Sequence, residues 1–327
     1  MLGEVGVRPE AALTLIKWAD KRWDKFHKRA DWAERLGQLF DAYKERYKPS
    51  TKLAAMRPVN LKTLKANTPE IEWAVEGLLA KYTYGLLTGP TGVGKTQVAL
   101  QMGMMWAKGG EWNDWVFPKL RVLYGSHEMG PNELLVFTDK LQLTWEQGED
   151  EVFDVIPVGE TISVLTQEGR DFYLQYIDDY DVFMFDTVSS STHLPMLDER
   201  SAPGLVGFFT ELASRGKTVL ALGHDTKDAS SKGIHRAESM YGHRYLMDRS
   251  SLIIRIDQPD PEDREHLVFY FPKVRLAEAP KASVWIRDKN TLWVSKTNES
   301  PSRKVSQRQA KQALKEAGFT DNGDEVF

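Results

Sequence analysis

The stretch GPTGVGKT, residues 89–96, places a lysine and a hydroxyl side chain directly after a glycine-rich turn. It matches the phosphate-loop pattern G-x-x-x-x-G-K-[ST], in which backbone N–H groups and a helix N-terminus surround phosphate oxygens. The alternative is a glycine-rich turn without a ligand. The pattern predicts ATP with Mg²⁺, the metal on Thr96, and nucleotide contacts from Gly89, Pro90, Thr91, Gly92, Val93, Gly94, Lys95, Thr96 and Gln97.

Two acidic residues at the ends of apolar runs could complete a hydrolytic site. YDVFMFDTVSSS ends a strand pattern at Asp186, the position of an acid that holds Mg²⁺ through water beside a phosphate loop. RVLYGSHEMGPNEL places Glu128 after another strand pattern, where a carboxylate can orient and deprotonate the attacking water. The alternatives are a turn-forming role for Asp186 and a helix-capping role for Glu128.

A histidine follows a third apolar run. TVLALGHDTKD ends its strand pattern at His224, and a polar side chain there can touch the γ-phosphate and report its loss to the following loop. A lone histidine is equally consistent with a structural role. His127, beside Glu128, is assigned local packing or hydrogen bonding and no catalytic part.

These residues can form one site only if the strands that they follow end at the same edge of a sheet. Apolar β-type runs alternate with helical stretches at YGLLTG, RVLYGS, FDVIPV, DVFMFD, TVLALG and SLIIRI. Such alternation predicts parallel strands with crossover helices, and therefore an α/β sheet with helices on both faces. The later runs HLVFYFPKVR, ASVWIRD and TLWVSK predict antiparallel strands that close the domain.

Helical and polar segments flank this core. Residues 8–47 have helical apolar spacing and predict two helices, the first of them basic and interpreted as a solvated helix rather than a DNA-binding surface. Residues 48–70 are polar, contain three prolines and predict a linker. The chain therefore divides into a small helical N-terminal region with linker at 1–60, an ATPase domain at 61–296 and a polar tail at 297–327.

Composition excludes several classes of function. The 327 residues carry a net charge of -4, so binding of a polyanion must be local. The chain has no cysteine, which excludes disulfides, thiolate metal sites and thiol nucleophiles. It shows neither a signal-peptide pattern nor an apolar run of the roughly 18 to 20 residues that a membrane span needs. We expect a cytoplasmic protein without membrane contact.

The ordered motifs resemble those of RecA-like core ATPases, and within them the RepA-like hexameric helicases of plasmids and phages. Residues 68–101 are similar to the segment that leads into and includes their phosphate loop. GSHEMGPNEL is similar to their S-L-E-M-S segment, which carries the catalytic glutamate, here Glu128. GHDTK resembles their H-H-T-x-K segment, with Gly223 replacing the first histidine. The resemblance extends from about Thr68 to Val294 and implies a RecA-like twisted parallel sheet.

The segment FPKVR resembles a K-x-R pair that this family projects onto the γ-phosphate bound by a neighbouring subunit. Strand alternation sends Lys273 and Arg275 to one face, and arginine offers a planar, permanently charged donor fork to phosphate. The resemblance implies a homo-oligomer, either a hexameric ring or a filament, whose isolated subunit is a poor ATPase. The alternative is two exposed basic residues on an edge strand.

In RecA-like rings, two loops that follow the metal-binding and sensor strands face the central channel. These loops correspond here to residues 189–204 and 225–245. The second suits phosphate contact and base stacking, through Lys227, Lys232, Arg236, Tyr241 and Arg244. The first contains Asp198 and Glu199 and is the weaker case. Single-stranded DNA is therefore the predicted partner.

The main hypothesis is an ATP-driven motor on single-stranded DNA, a helicase or translocase in DNA replication. One alternative is a RecA-like recombination or annealing ATPase of phage type that forms filaments. Another is a nucleotide-gated assembly or regulatory protein without motor activity. Stimulation of the ATPase by DNA separates the last class from the others, and unwinding of a forked duplex singles out the helicase.

Overall fold

A computed structural model of the chain describes residues 34, 37–38, 58–142, 146–157, 162–192, 201–224, 244–260 and 262–301. The chain forms two compact units, residues 1–70 and 71–327. Except for residues 34, 37 and 38, which are helical, the helices expected over residues 8–47 lie outside the described residues, as does the tail beyond residue 301. The division at residues 60 and 296 stays a prediction.

The first unit contains helix α1 (Leu61–Asn67), inside the segment that the sequence predicts as a linker. Asn60 caps it by accepting a hydrogen bond from the Lys62 backbone N–H at 2.9 Å, and none of the seven helix residues is buried.

The second unit is built around a parallel sheet, as the alternation of strand and helix patterns predicts. Its parallel strands are β3 (Tyr84–Gly89), β6 (Val122–Ser126), β7 (Phe153–Pro157), β8 (Val182–Asp186), β9 (Thr218–His224) and β10 (Leu252–Asp257). The antiparallel strands β11 (His266–Val274), β12 (Ser283–Arg287) and β13 (Val294–Lys296) extend it on one side. Within the described residues the sheet has nine strands in the order β13-β12-β11-β10-β3-β9-β8-β6-β7.

Helices cover both faces of this sheet. They are α2 (Lys95–Lys108), α3 (Pro131–Gln142), α4 (Gln167–Leu174), α5 (Ser201–Ser214) and α6 (Arg244–Arg249). Alternate strand residues point to opposite faces, so Leu87 packs in one core with α2 and α3, while Leu86 packs in the other with α4, α5 and α6. The predicted α/β class, with helices on both faces of the sheet, is confirmed.

Two short hairpins complete the described part of this unit. The first pairs β1 (Trp73–Val75) with β2 (Leu79–Ala80), and the second pairs β4 (Gly110–Trp112) with β5 (Trp115–Phe117). Trp112 and Trp115 of the second hairpin pack against Trp285 on β12, with both ring centroids 5.2 Å from that of Trp285. This aromatic contact anchors the antiparallel extension. No helix in the described residues has the length and apolar character needed to cross a membrane.

Candidate active site

The glycine-rich loop joins the end of β3 to the first turn of α2. Gly89 has φ +154°, and a Cβ built on it would lie 2.3 Å from the Ile256 carbonyl oxygen of the neighbouring strand. Since a backbone oxygen cannot move aside as a flexible side chain can, only glycine fits here. The Val93 side chain is buried in the core, so this predicted contact residue offers the ligand only its backbone.

Lys95, the first residue of α2, lies under this loop and is 5% exposed. Its Nζ donates hydrogen bonds to the carbonyl oxygens of Gly89 and Pro90, at 3.0 and 2.8 Å. The same atom lies 3.1 Å from Nδ1 of His224, at the end of β9. The predicted phosphate lysine and the predicted sensor histidine are therefore in direct contact.

Asp186 ends β8 and is 2% exposed. Its Oδ2 accepts hydrogen bonds from the Thr96 hydroxyl at 2.7 Å and from the Tyr124 hydroxyl at 2.5 Å. Burial is the larger effect and raises the pKa of Asp186 above its ordinary value, although these two hydrogen bonds act to lower it. The peptide bond from Asp186 to Thr187 is cis. The two residues predicted to bind metal are thus hydrogen-bonded to each other, and sequence reasoning missed Tyr124.

The donor set at this point fits Mg²⁺. Among the described residues, Oδ1 of Asp186 is buried and has no hydrogen-bond partner. A hard cation with water ligands satisfies such an oxygen, and a hydroxyl such as that of Thr96 is also a suitable ligand. The described part of the chain contains no group of three His, Asp or Glu side chains placed to hold a metal alone. Water and phosphate oxygens would complete the coordination of a Mg²⁺ held here.

Glu128 follows β6 and is partly exposed, with its Oε2 3.5 Å from Nε2 of His224. The hydrogen bond from His224 is the main factor that lowers the pKa of Glu128. The carboxylate is therefore ionised at neutral pH, as a base that accepts a proton from water must be. His224 links it to Lys95, because one ring nitrogen faces each residue.

The neighbouring residue, His127, has its hydrogen-bond partner inside the protein. Its Nε2 lies 2.6 Å from the Tyr173 hydroxyl, and its ring stacks on Phe185 at 6.1 Å between centroids. This placement fits the local packing role predicted for it.

The two cations of the K-x-R pair contact the last turn of α6. Lys273 Nζ donates to the carbonyl oxygens of Met247 and Asp248 at 2.8 and 2.7 Å, and Arg275 Nη2 donates to Asp248 O at 3.1 Å. The pair therefore shares one face, as strand alternation predicts. A role at a neighbouring subunit's phosphate stays a prediction.

Most residues predicted to bind DNA, namely Lys227, Lys232, Arg236 and Tyr241, lie outside the described residues. Arg244 is described, as the first residue of α6. Its side chain is 77% exposed, and its Nε lies 3.8 Å from a carboxylate oxygen of Asp248. Arg244 is thus accessible to a ligand at this end of the helix.

A cleft of about 840 Å³ lies beside the phosphate loop and is lined in part by Thr91, Gly92 and Gln97. Its other side comes from residues after β10 and around the β12–β13 turn, including Gln258, Arg264, Arg287 and Asp288. Arg287 Nη1 donates to Gln97 Oε1 at 2.9 Å. A Cβ at Gly94 would lie 2.7 Å from the same Nη1, so the guanidinium lies directly beside the loop. Sequence reasoning missed this side of the cleft.

A family model described as "AAA domain" matches residues 49–230, which is more than half of the chain. No curated protein matches the chain in sequence.

Several solved structures are similar in three dimensions. A solved ATPase domain has a TM-score of 0.53 at 13% identity, covering 72% of this chain and 95% of that chain. A KaiC-like protein from Pyrococcus horikoshii OT3 has a TM-score of 0.48 at 16% identity, covering 68% and 93% of the two chains. The flagellar accessory protein FlaH from Methanocaldococcus jannaschii has a TM-score of 0.47 at 12% identity, covering 67% of this chain and 91% of that chain. Because the ATPase domain with the TM-score of 0.53 is only 13% identical to this chain, its similarity shows the fold alone.

Proposed function

Because this chain belongs to the AAA domain family and has the fold of RecA-like P-loop ATPases, we propose that it hydrolyses ATP as an oligomeric motor on single-stranded DNA. The observation that best supports ATP hydrolysis is that His224 contacts both Glu128 and Lys95. A passive nucleotide-binding site has no need for an ionised carboxylate beside its phosphate lysine.

In this proposal the chain's own residues perform most of the reaction. Lys95 binds phosphate oxygens together with the loop's backbone N–H groups, and Glu128 accepts a proton from the attacking water. Thr96 and Asp186 would hold Mg²⁺, which neutralises charge on the phosphates when it is bound. His224 contacts both the base and the lysine, so it is the residue placed to sense the γ-phosphate.

The sequence motifs support a DNA substrate and an oligomer. The basic residues and tyrosine of the segment 225–245 suit a single strand, whose backbone needs cations and whose bases need stacking partners. Lys273 and Arg275 supply the positive charge that a neighbouring subunit's phosphate would need, in a ring or a filament. We place the protein in the cytoplasm and assign it a helicase or translocase activity in DNA replication.

Hydrolysis is tested by measuring ATP turnover for the wild type and Glu128→Gln, with ADP binding as a second readout. The variant should lose about 100-fold or more in kcat, because general base catalysis contributes 10²–10⁴-fold, and it should still bind ADP. The matched control is Glu133→Gln, an acid in the first turn of α3 that should keep wild-type turnover. Equal turnover of wild type and Glu128→Gln would contradict the role of Glu128.

The motor is tested by measuring turnover across protein concentration, with and without single-stranded DNA, for the wild type and Arg275→Ala. We expect turnover per subunit to rise with concentration and with DNA, and to be lost in the variant. Turnover that ignores all three changes would exclude the motor and favour a nucleotide-gated regulatory protein. DNA-stimulated turnover without unwinding of a forked duplex would favour the recombination or annealing ATPase.

A further inference from the structure

Tyr124 lies in the middle of β6, and its aromatic ring belongs to the core beneath α2 and α3. Its side chain is fully buried, with the ring centroid 6.2 Å from that of Phe153. Across the parallel pair of β6 and β8 its Cα partner is Met184, two residues before Asp186. An aromatic side chain can bridge such a diagonal, and here the hydroxyl reaches the Asp186 carboxylate.

The two oxygens of this carboxylate have different surroundings. Oδ2 accepts from both Tyr124 and Thr96, at 2.5 and 2.7 Å, whereas Oδ1 is buried without a hydrogen-bond partner among the described residues. A carboxylate oxygen offers about two acceptor sites, so Oδ2 is satisfied by its two donors. Oδ1 is therefore the oxygen that can accept a hydrogen bond from a water on the metal.

The chemistry of a phenol suits this position. A tyrosine hydroxyl has an ordinary pKa of about 10, so that of Tyr124 is a neutral donor to Asp186 at physiological pH. A neutral donor stabilises an ionised carboxylate, whereas a lysine or arginine there would repel a divalent cation. Thr96 would exchange its bond to Asp186 for the metal, while Tyr124 could keep its own.

From this geometry we propose that Tyr124 is a positioning residue for the divalent cation, because it holds the orientation of Asp186 through Oδ2 and directs Oδ1 to the metal's water. The inference rests on the proposed function only in assigning Asp186 to Mg²⁺. Residues that orient metal ligands from outside the coordination sphere typically contribute 10–100-fold to metal affinity.

The test is a titration of the full chain with Mn²⁺ in the presence of ADP, with free Mn²⁺ measured by electron paramagnetic resonance. Tyr124→Phe keeps the ring and removes only the hydroxyl, so the variant should bind Mn²⁺ about 10-fold or more weakly than the wild type. Binding of ADP in EDTA should be unchanged, which distinguishes loss of metal positioning from general damage to the site. Neither readout depends on hydrolysis.

The control is Tyr84→Phe, which removes a buried tyrosine hydroxyl on the central strand β3 that donates to Leu246 O at 2.8 Å. It should bind Mn²⁺ as the wild type does. Affinities of Tyr124→Phe and the wild type within two-fold of each other, or an equal loss in Tyr84→Phe, would overturn the proposal. A wild type without ATPase activity whose Mn²⁺ affinity still depends on Tyr124 would contradict the proposed function and support the positioning role.

Discussion

Glu128 and His224 come from strands that are not neighbours, yet their side chains meet beside Lys95. The hydrogen bond from His224 holds the pKa of Glu128 below its ordinary value. A lowered pKa keeps the carboxylate ionised to a lower pH than that of a free glutamate. If Glu128 is the base, as we propose, His224 therefore extends the pH range in which it can accept a proton.

Replacement of His224 should therefore narrow that range. In His224→Ala the pKa of Glu128 rises, so the acidic limb of the kcat/KM profile should move to higher pH, whatever the change in its maximum. The measurement is ATP turnover against pH, over the range in which circular dichroism shows the fold intact. An acidic limb at the same pH in variant and wild type would mean that Glu128 is not the base or that His224 does not control its pKa.

Arg287 gives a second prediction at the scale of a single residue. Its guanidinium contacts Gln97 and the phosphate loop, so Arg287→Ala should raise the KM for ATP about 10-fold, corresponding to about 1.4 kcal/mol. Lys289→Ala, at the rim of the same cleft with a 75% exposed side chain, should change KM less than about two-fold. Equal effects of the two substitutions on KM would show that only net charge at the cleft matters.

At the scale of elements, the sequence predicts the strands well, because runs such as YGLLTG and DVFMFD are apolar over the length of one strand and end in glycine or an acid. It predicts less about contacts between elements. Tyr124 sits in an apolar run and resembles any core tyrosine, and its partner Asp186 is 62 positions away. Arg287 and Gln97 are 190 positions apart, so their meeting depends on the order of the strands in the sheet.

The start of the parallel pair β6 and β8 is fixed by an ion pair between Arg121 and Asp181. The carboxylate accepts from Arg121 Nε at 3.2 Å, from Nη2 at 3.1 Å and from the backbone N–H at 2.9 Å. Burial opposes ionisation of Asp181, but these hydrogen bonds prevail and lower its pKa. The contact therefore stabilises the fold above the pKa that Asp181 has in the unfolded chain, and this stabilisation is lost as pH falls through the lower, folded value.

Asp181→Asn should therefore cost about 1 kcal/mol in the free energy of unfolding at neutral pH, a modest value because both side chains are partly exposed. The loss should shrink as pH falls below about 4, near the pKa of an unfolded aspartate. Urea unfolding at several pH values measures both effects. Glu211→Gln, which breaks a partly exposed i,i+4 pair with Arg215 at the end of α5, should cost no more than about 0.5 kcal/mol. A loss for Asp181→Asn that does not vary with pH would contradict this account.

At the scale of the whole molecule, the proposed site is divided between two subunits, which predicts complementation. Glu128→Gln lacks the base but keeps Arg275, whereas Arg275→Ala keeps the base. Each variant alone should be nearly inactive, and their mixture should regain ATP turnover at interfaces that join an intact Glu128 to an intact Arg275. Turnover of the mixture that equals the sum of the separate variants would indicate that each site is complete within one chain. Mixing Glu128→Gln with Lys95→Ala, two defects on the same side of the site, is the control and should restore nothing.

The contacts of Lys273 and Arg275 have a mechanical consequence. An ammonium has three N–H groups and a guanidinium five, and the carbonyls of α6 use two of the former and one of the latter. Among the described residues, the pair therefore retains N–H groups that can bind a phosphate while both side chains still contact α6. If the pair binds a neighbouring subunit's phosphate, as we propose, a displacement of that phosphate would move α6 and Arg244 at its other end. The two cations would then link the neighbouring nucleotide mechanically to the segment proposed to hold DNA.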